Sequence, residues 1–256
     1  MGIGLARLAV ITLVLGSCAV PVRAGITVTS YRTTAGTNAF APVGGSQYID
    51  QQILTNVSPA HASGSGDWVG PNAGGSANTW HWIGAAQLSM STTFDSSMLS
   101  ITGAGNFAHE LTTTSEFVDP RSASVFSPGS GADYQCAVSV DTSAAYTITV
   151  LLGQWGKVSL SSSQTGFIFN ETNFAASPRL VQFSGTIPPG NFAVRANAGL
   201  AIENLSPGLH HVEYSGGFDN LDFVLQVPEP GVTGFLLTMS VLGIVRRQRR
   251  PIRTCK

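Results

Sequence analysis

The feature that most limits what this chain can fold into is a period of two. In its last stretch before the tail, Leu221, Phe223, Leu225 and Val227 alternate with Asp222, Val224 and Gln226. An extended backbone sends the first set to one face and the second to the other. The same spacing recurs in Tyr134, Cys136, Val138 and Val140 against Gln135, Ala137, Ser139 and Asp141. It recurs again in Tyr146, Ile148, Val150 and Leu152 against Thr147 and Thr149. No window of a dozen residues carries a clean helical period, so a helix would have no apolar stripe to bury.

Turn residues cut the alternating runs short. Gly153-Gln154-Trp155-Gly156, Ile187-Pro188-Pro189-Gly190 and Ser206-Pro207-Gly208 read as turns. Between them, strands are predicted around Val158 and Leu160, Phe167 and Phe169, Val181 and Phe183, Phe192 and Val194, and Val212 and Tyr214. The polar link Asp141-Thr142-Ser143 joins two alternating runs and predicts a hairpin. Nearer the N-terminus, strands are expected over 26–31, 48–54 and 86–94, with at least one more inside 106–118. Residues 60–78, rich in Gly, Ser and Asn, read as a loop carrying His61, Asp67 and Trp68. The fold class expected is all-β, a two-sheet sandwich.

Composition agrees. The chain holds 29 Gly and 13 Pro but is only 11% charged, so the Lys and Glu that coat helix surfaces are scarce. Charge is unevenly spread along it. Residues 25–226 carry five cations (Arg32, Arg121, Lys157, Arg179 and Arg195) against thirteen carboxylates, a net of −8 hidden by a whole-chain value of −1. Such a body is not expected to bind nucleic acid, which requires clustered cations. Of the three cysteines, Cys18 and Cys255 lie in the terminal segments, so Cys136 stands alone in the body and no disulfide can form there. On an alternating strand it reads as a small buried hydrophobe.

The two ends differ from the body. Arg7 precedes an apolar run from residue 8 to residue 15, and Val22-Arg23-Ala24 suits a signal peptidase. Residues 1–24 are therefore read as a signal helix cleaved between Ala24 and Gly25. A competing reading takes Leu15-Gly16-Ser17-Cys18 as a lipobox that would make Cys18 a lipid-bearing N-terminus. At the other end, Pro228-Glu229-Pro230 is followed by fifteen uncharged residues, 231–245. As a helix they would cover about 22 Å, short for a hydrocarbon core of about 30 Å. Arg246, Arg247, Arg249, Arg250, Arg253 and Lys256 follow. These cations hold a membrane segment's end in the cytoplasm, and their long side chains extend its effective span. Residues 231–245 are thus read as a transmembrane helix whose body lies outside the cytoplasm.

In that order, the Pro-Glu-Pro element, the apolar run and the arginine-rich end of residues 227–256 resemble a PEP-CTERM sorting signal. The resemblance implies a bacterial protein handled by exosortase, a membrane protease and transpeptidase, with Pro228, Glu229 and Pro230 as the recognition element. It further implies a transient inner-membrane anchor, then release to the cell surface or extracellular matrix. The body, residues 25–226, is similar to the jelly-roll sandwiches that precede such tails, which in turn look like carbohydrate-binding modules.

Catalytic patterns are sparse. Ala108-His109-Glu110-Leu111 lacks the second histidine of a zinc hydrolase, and no Gly-x-Ser-x-Gly elbow is present. Adjacent His210 and His211 would point to opposite faces of a strand. A secreted carbohydrate-active hydrolase would need two facing carboxylates, and five glutamates, Glu110, Glu116, Glu171, Glu203 and Glu213, are candidates in composition only. A non-catalytic, matrix-associated role with extracellular polysaccharide as partner is the expectation. Two residue sets could serve it. Trp80 and Trp82 share a strand face and would make a platform for sugar rings. Asp219 and Asp222 offer hard oxygen ligands to calcium, the one ion this body is expected to suit; no other cofactor is expected.

Overall fold

A computed structural model of the chain describes residues 25–40, 47–71, 79–113, 129–201 and 211–228. The expected signal segment, the membrane segment, the arginine-rich tail, Glu229 and Pro230 lie outside them. Residues Ile26–Glu229 form one compact unit. Its described residues form twelve strands: β1 (Ile26–Phe40), β2 (Gln47–Thr55), β3 (Ala60–Pro71), β4 (Thr79–Phe94), β5 (Met98–Thr113), β6 (Gly129–Val140), β7 (Ala144–Leu152), β8 (Gly156–Ser162), β9 (Gly166–Thr172), β10 (Arg179–Ile187), β11 (Gly190–Ala201) and β12 (His211–Gln226). Among the described residues there is no helix.

The strands form two six-stranded sheets, ordered β2-β1-β6-β11-β8-β9 and β10-β7-β12-β5-β4-β3, with every neighbouring pair antiparallel. From β5 onward the pairing nests: β5 with β12, β6 with β11, β7 with β10 and β8 with β9. One long antiparallel ribbon is thus wound alternately through both sheets, which is jelly-roll winding. The first four strands enlarge it, β1 and β2 beyond β6, and β4 and β3 beyond β5.

In two places the strands depart from the pattern that alternation suggests. The runs on either side of Asp141 to Ser143 are β6 and β7, and they belong to different sheets. The link crosses the sandwich because both runs present an apolar face, and each face is buried only if the two strands stand opposite one another. Residues 60–71 are strand β3, paired with β4 from Ala60↔Met90 to Pro71↔Thr79. Ala60, Ala62 and Gly64 are buried while His61, Ser63 and Ser65 are exposed, so small residues carry the alternation.

The core lies between the sheets. Trp82, Tyr134, Phe107, Phe218, Phe223, Leu99, Ile101 and Leu111 are its largest fully buried side chains. Cys136 is free and buried, as expected, and burial pushes its thiol up to about 11. The Tyr134 hydroxyl meets Thr92 Oγ1 at 2.6 Å, which satisfies a phenol that burial holds protonated. Side chains also shut both open sides of the sandwich. On one side, Asp50 and Gln52 of β2 accept the Ser65 and Ser63 N–H groups of β3, at 2.8 and 3.1 Å. On the other, Phe169 stacks on Phe183 at 5.3 Å, and Arg179 Nη2 donates to Glu171 Oε2 at 2.5 Å. Such closure leaves fewer free edge groups to recruit another chain.

Both ends of the unit meet at the β4–β5 turn. The Ile26 N–H donates to Ser96 O at 3.0 Å and the Val227 N–H to Ser97 O at 2.9 Å. Asp95 Oδ1 holds that turn by accepting the Ser97 N–H, the Ser97 hydroxyl and the Met98 N–H, at 2.6, 2.8 and 2.9 Å. These bonds to its ionised form, the Ser97 N–H first, lower its pKa. The chain therefore enters and leaves the body at one pole.

Candidate functional site

An open cleft of about 770 Å³ lies on the outer face of the first sheet. Its floor follows from register. Gln51, Gly36, Gly131 and Gly199 lie side by side across β2, β1, β6 and β11. Three glycines in one row leave a trench where other rows carry side chains. There is little room to fill it cheaply: a Cβ on Gly199 would come within 3.1 Å of Gly131 Cα, and one on Gly36 within 2.9 Å of the Gln51 side chain.

The next row supplies polar groups. Thr34, Asp133, Asn197, Lys157 and Thr172 are consecutive partners across β1, β6, β11, β8 and β9. Arg32 lines the cleft one row further along β1. Asp133 Oδ1 accepts Arg195 Nε–H at 2.6 Å, and its Oδ2 lies 3.9 Å from Arg32 Nη2. Among the described residues, Asp133 is the only carboxylate lining the cleft.

An aromatic wall stands at the β8–β9 end. Trp155 and Phe174 line the cleft there and meet edge to face, with ring centroids 5.5 Å apart. Both are positioned by Asn173, which is 5% exposed. The Asn173 carbonyl accepts the Trp155 N–H at 2.7 Å; its Nδ2 donates to Leu152 O and Ser177 O, each at 2.9 Å, and its Oδ1 accepts the Ala175 N–H at 3.0 Å. Trp155 sits at φ 59°, a conformation that costs a bulky residue energy and persists only where the surroundings impose it. The imposing surface is Gly216–Gly217 of β12. The Gly217 carbonyl accepts the Gly153 N–H at 2.9 Å, and a Cβ on Gly216 would collide with Gln154 O. Phe174 is 67% exposed, so its face is open to a ligand. Exposed aromatic faces beside hydrogen-bonding side chains suit the apolar faces and hydroxyl rims of sugar rings.

The residues anticipated from sequence lie elsewhere. Trp82 is 0% exposed, on the inner face of β4. It is a core residue and cannot offer a sugar platform, a correction to the alternation argument. The Trp80 side chain lies outside the described residues. Asp219 and Asp222 are exposed around the β12 bulge, with Asn220 at φ 52° between them. Among the described residues, no cluster of three ligand side chains includes either aspartate. The one such cluster is Glu110, His211 and Glu213, on the outer face of the second sheet, with ligand atoms all within 4.8 Å. Its pairing Glu213↔Glu110 and His211↔Thr112 joins residues about a hundred positions apart, so sequence spacing could not show it. His109 is on the inner face, 4% exposed, between Phe107 and Tyr214. Burial lowers its pKa to about 4.

The cleft residues were missed for a similar reason, since they come from six strands and two loops. Two local signals could have flagged them: a tryptophan between glycines at a turn, and a lysine in an acidic body.

No protein-family model matches the chain, and no curated protein matches it. Among solved structures, it is similar to the infectious bursal disease virus Gx strain structure, with TM-score 0.30 and 11% identity over 81% of this chain and 58% of that one. It is also similar to that virus's VP2 subviral particle, with TM-score 0.27 and 9% identity over 79% and 72%. A GH31 alpha-xylosidase from Xanthomonas citri gives TM-score 0.23 and 10% identity over 80% and 28%. The chain thus spans little more than half of the viral protein it matches in the first comparison, and likenesses of this size carry no functional argument. The fold and the cleft define the class by themselves: an all-β, jelly-roll-like sandwich with an open trench across one sheet.

Proposed function

We propose that the protein is exported, sorted through its C-terminal tail, and holds polysaccharide outside the cell without cleaving it. The observation that carries the binding role is the cleft, with its glycine floor, its row of Asp133, Asn197 and Lys157, and the Trp155–Phe174 wall. Glycoside hydrolysis needs two carboxyl groups flanking the bond. The described lining of this cleft offers one, held by two arginines.

The tail reading rests on the sequence of residues 228–256, with Pro228, Glu229 and Pro230 recognised by exosortase. The end of the body is compatible with it: Val227 is 3% exposed and clamped to Ser97, and exposed Pro228 follows at once. The cleft lies well away from that pole. Gly131 is nine residues along β6 from Val140, the partner of Ile26, about 30 Å at ~3.4 Å per residue.

Two measurements test this. Residues 25–228 should be retarded in gels containing soluble polysaccharide, and Trp155→Ala should weaken retention about tenfold or more, as loss of an aromatic anchor does. Retention unaffected by Trp155→Ala would remove the cleft from the role. In the producing organism, Glu229→Ala should leave unprocessed protein in the membrane; normal processing would sink the tail reading.

A further inference from the structure

Building on the polysaccharide reading of the cleft, we propose that its ligand is an acidic glycan, a chain bearing carboxylates such as a polyuronate. The body is acidic, yet its described cations are not scattered. Of Arg32, Lys157, Arg179 and Arg195, the three other than Arg179 project from the outer face of the first sheet, at or beside the cleft. Arg179 is at the side of the sandwich, tied to Glu171. On that outer face, Asp133 is the only described carboxylate.

The ion pairs leave positive charge over. Asp133 serves two arginines, Arg195 at 2.6 Å and Arg32 at 3.9 Å, so one of the two charges is not neutralised. Lys157 has no carboxylate within 4.0 Å among the described residues. Its Nζ lies over the ring of Phe167, 5.9 Å from the centroid, and Phe167 is 62% exposed. An ammonium resting on an exposed ring, beside a trench, is free to turn to an incoming carboxylate. The face thus has a surplus of about two positive charges around a groove that also offers aromatic walls. Charge selects an acidic polymer, while Trp155 and Phe174 select rings with an apolar face. A neutral glucan would use only the second feature. Nucleic acid needs a longer basic track than three cations provide.

Residues 25–228 form a compact unit with its own core and can be tested alone. The experiment is affinity electrophoresis in gels cast with polygalacturonate, with dextran, or with duplex DNA, at low and at moderate salt, with thermal melting to verify each variant's fold. Polygalacturonate should retard the protein more than dextran does, and added salt should weaken it. Lys157→Glu should weaken that retardation about tenfold or more. Asp133→Asn frees both arginines and should tighten it by about threefold or more, a gain that loss of a structural contact would not produce. Equal retardation by dextran, insensitive to salt and to Lys157→Glu, would overturn the acidic-glycan inference and leave the cleft as a neutral-glycan site. Retardation by neither polymer would overturn both readings. Retardation by DNA as strong as by polygalacturonate would replace the glycan with a general polyanion.

Discussion

On the outer face of the first sheet, Arg32, Lys157 and Arg195 surround one carboxylate, Asp133. On the outer face of the second, Asp67, Glu110 and Glu213 lie against His81 and His211. Asp67 meets His81 at 2.7 Å, while His211 lies 3.5 Å from Glu110 and 3.0 Å from Glu213. Both faces are the solvent side of the same pleated architecture, and both derive from one acidic chain. Net charge thus describes the chain, whereas the character of each face is set by which residues register brings to it. Register also separates a face with a trench and an aromatic wall from a face of exposed acid–histidine pairs, where solvent screens each contact.

The comparison can be broken from inside the sandwich first. Trp82→Ala empties a fully buried site and should cost about 3–5 kcal/mol in urea unfolding. Folded protein that remains should still be retarded by polysaccharide. A variant of normal stability that no longer binds would return Trp82 to the sugar-binding role and undo the assignment of the cleft.

A second test concerns His109, which belongs to neither outer face. Its folded pKa is about 4, lowered by burial from 6.5. The folded protein therefore binds fewer protons than the unfolded chain between those values. The stability is complete above pH 6.5 and is lost as pH falls toward 4, by about 3 kcal/mol from this group. Urea midpoints at pH 7 and pH 4.5, compared between the native protein and His109→Phe, would check it. The variant should lose distinctly less stability on acidification; equal losses would mean that carboxylates alone set the acid response.

The smallest effect is expected at the second outer face. His211→Ala removes two exposed acid contacts and should change stability by less than about 0.5 kcal/mol, with polysaccharide retention unaltered. Thermal melts and the same gels would show it. A large loss of retention would sharpen the comparison in the opposite sense, by making both faces binding surfaces.

Much of the fold was legible because strand alternation is local. The windows at Tyr134, Tyr146 and Leu221 each announced a half-buried strand, and Cys136 fell on the buried side as its position required. Strand β3 was not legible, since its described buried residues are Ala60, Ala62 and Gly64, which carry almost no hydrophobic signal. The supposed hairpin at Asp141 failed because alternation says that a strand has an apolar face and says nothing of which strand will pair with it. The same limit misled the reading of Trp82: a period of two groups residues by face but does not say which face is inside.

Composition and local alternation alone imply an all-β body without an internal disulfide, a body charge of −8, and two ends unlike the rest. Those properties follow from composition and short-range periodicity, which require no knowledge of distant contacts. Long-range pairing alone puts Gly36, Gly131 and Gly199 in one row, holds Trp155 at that row's end through Asn173, and gathers three of the four described cations around one trench. Jelly-roll winding pairs strands remote in sequence, so register, and not spacing along the chain, chooses the neighbours of every residue in the cleft.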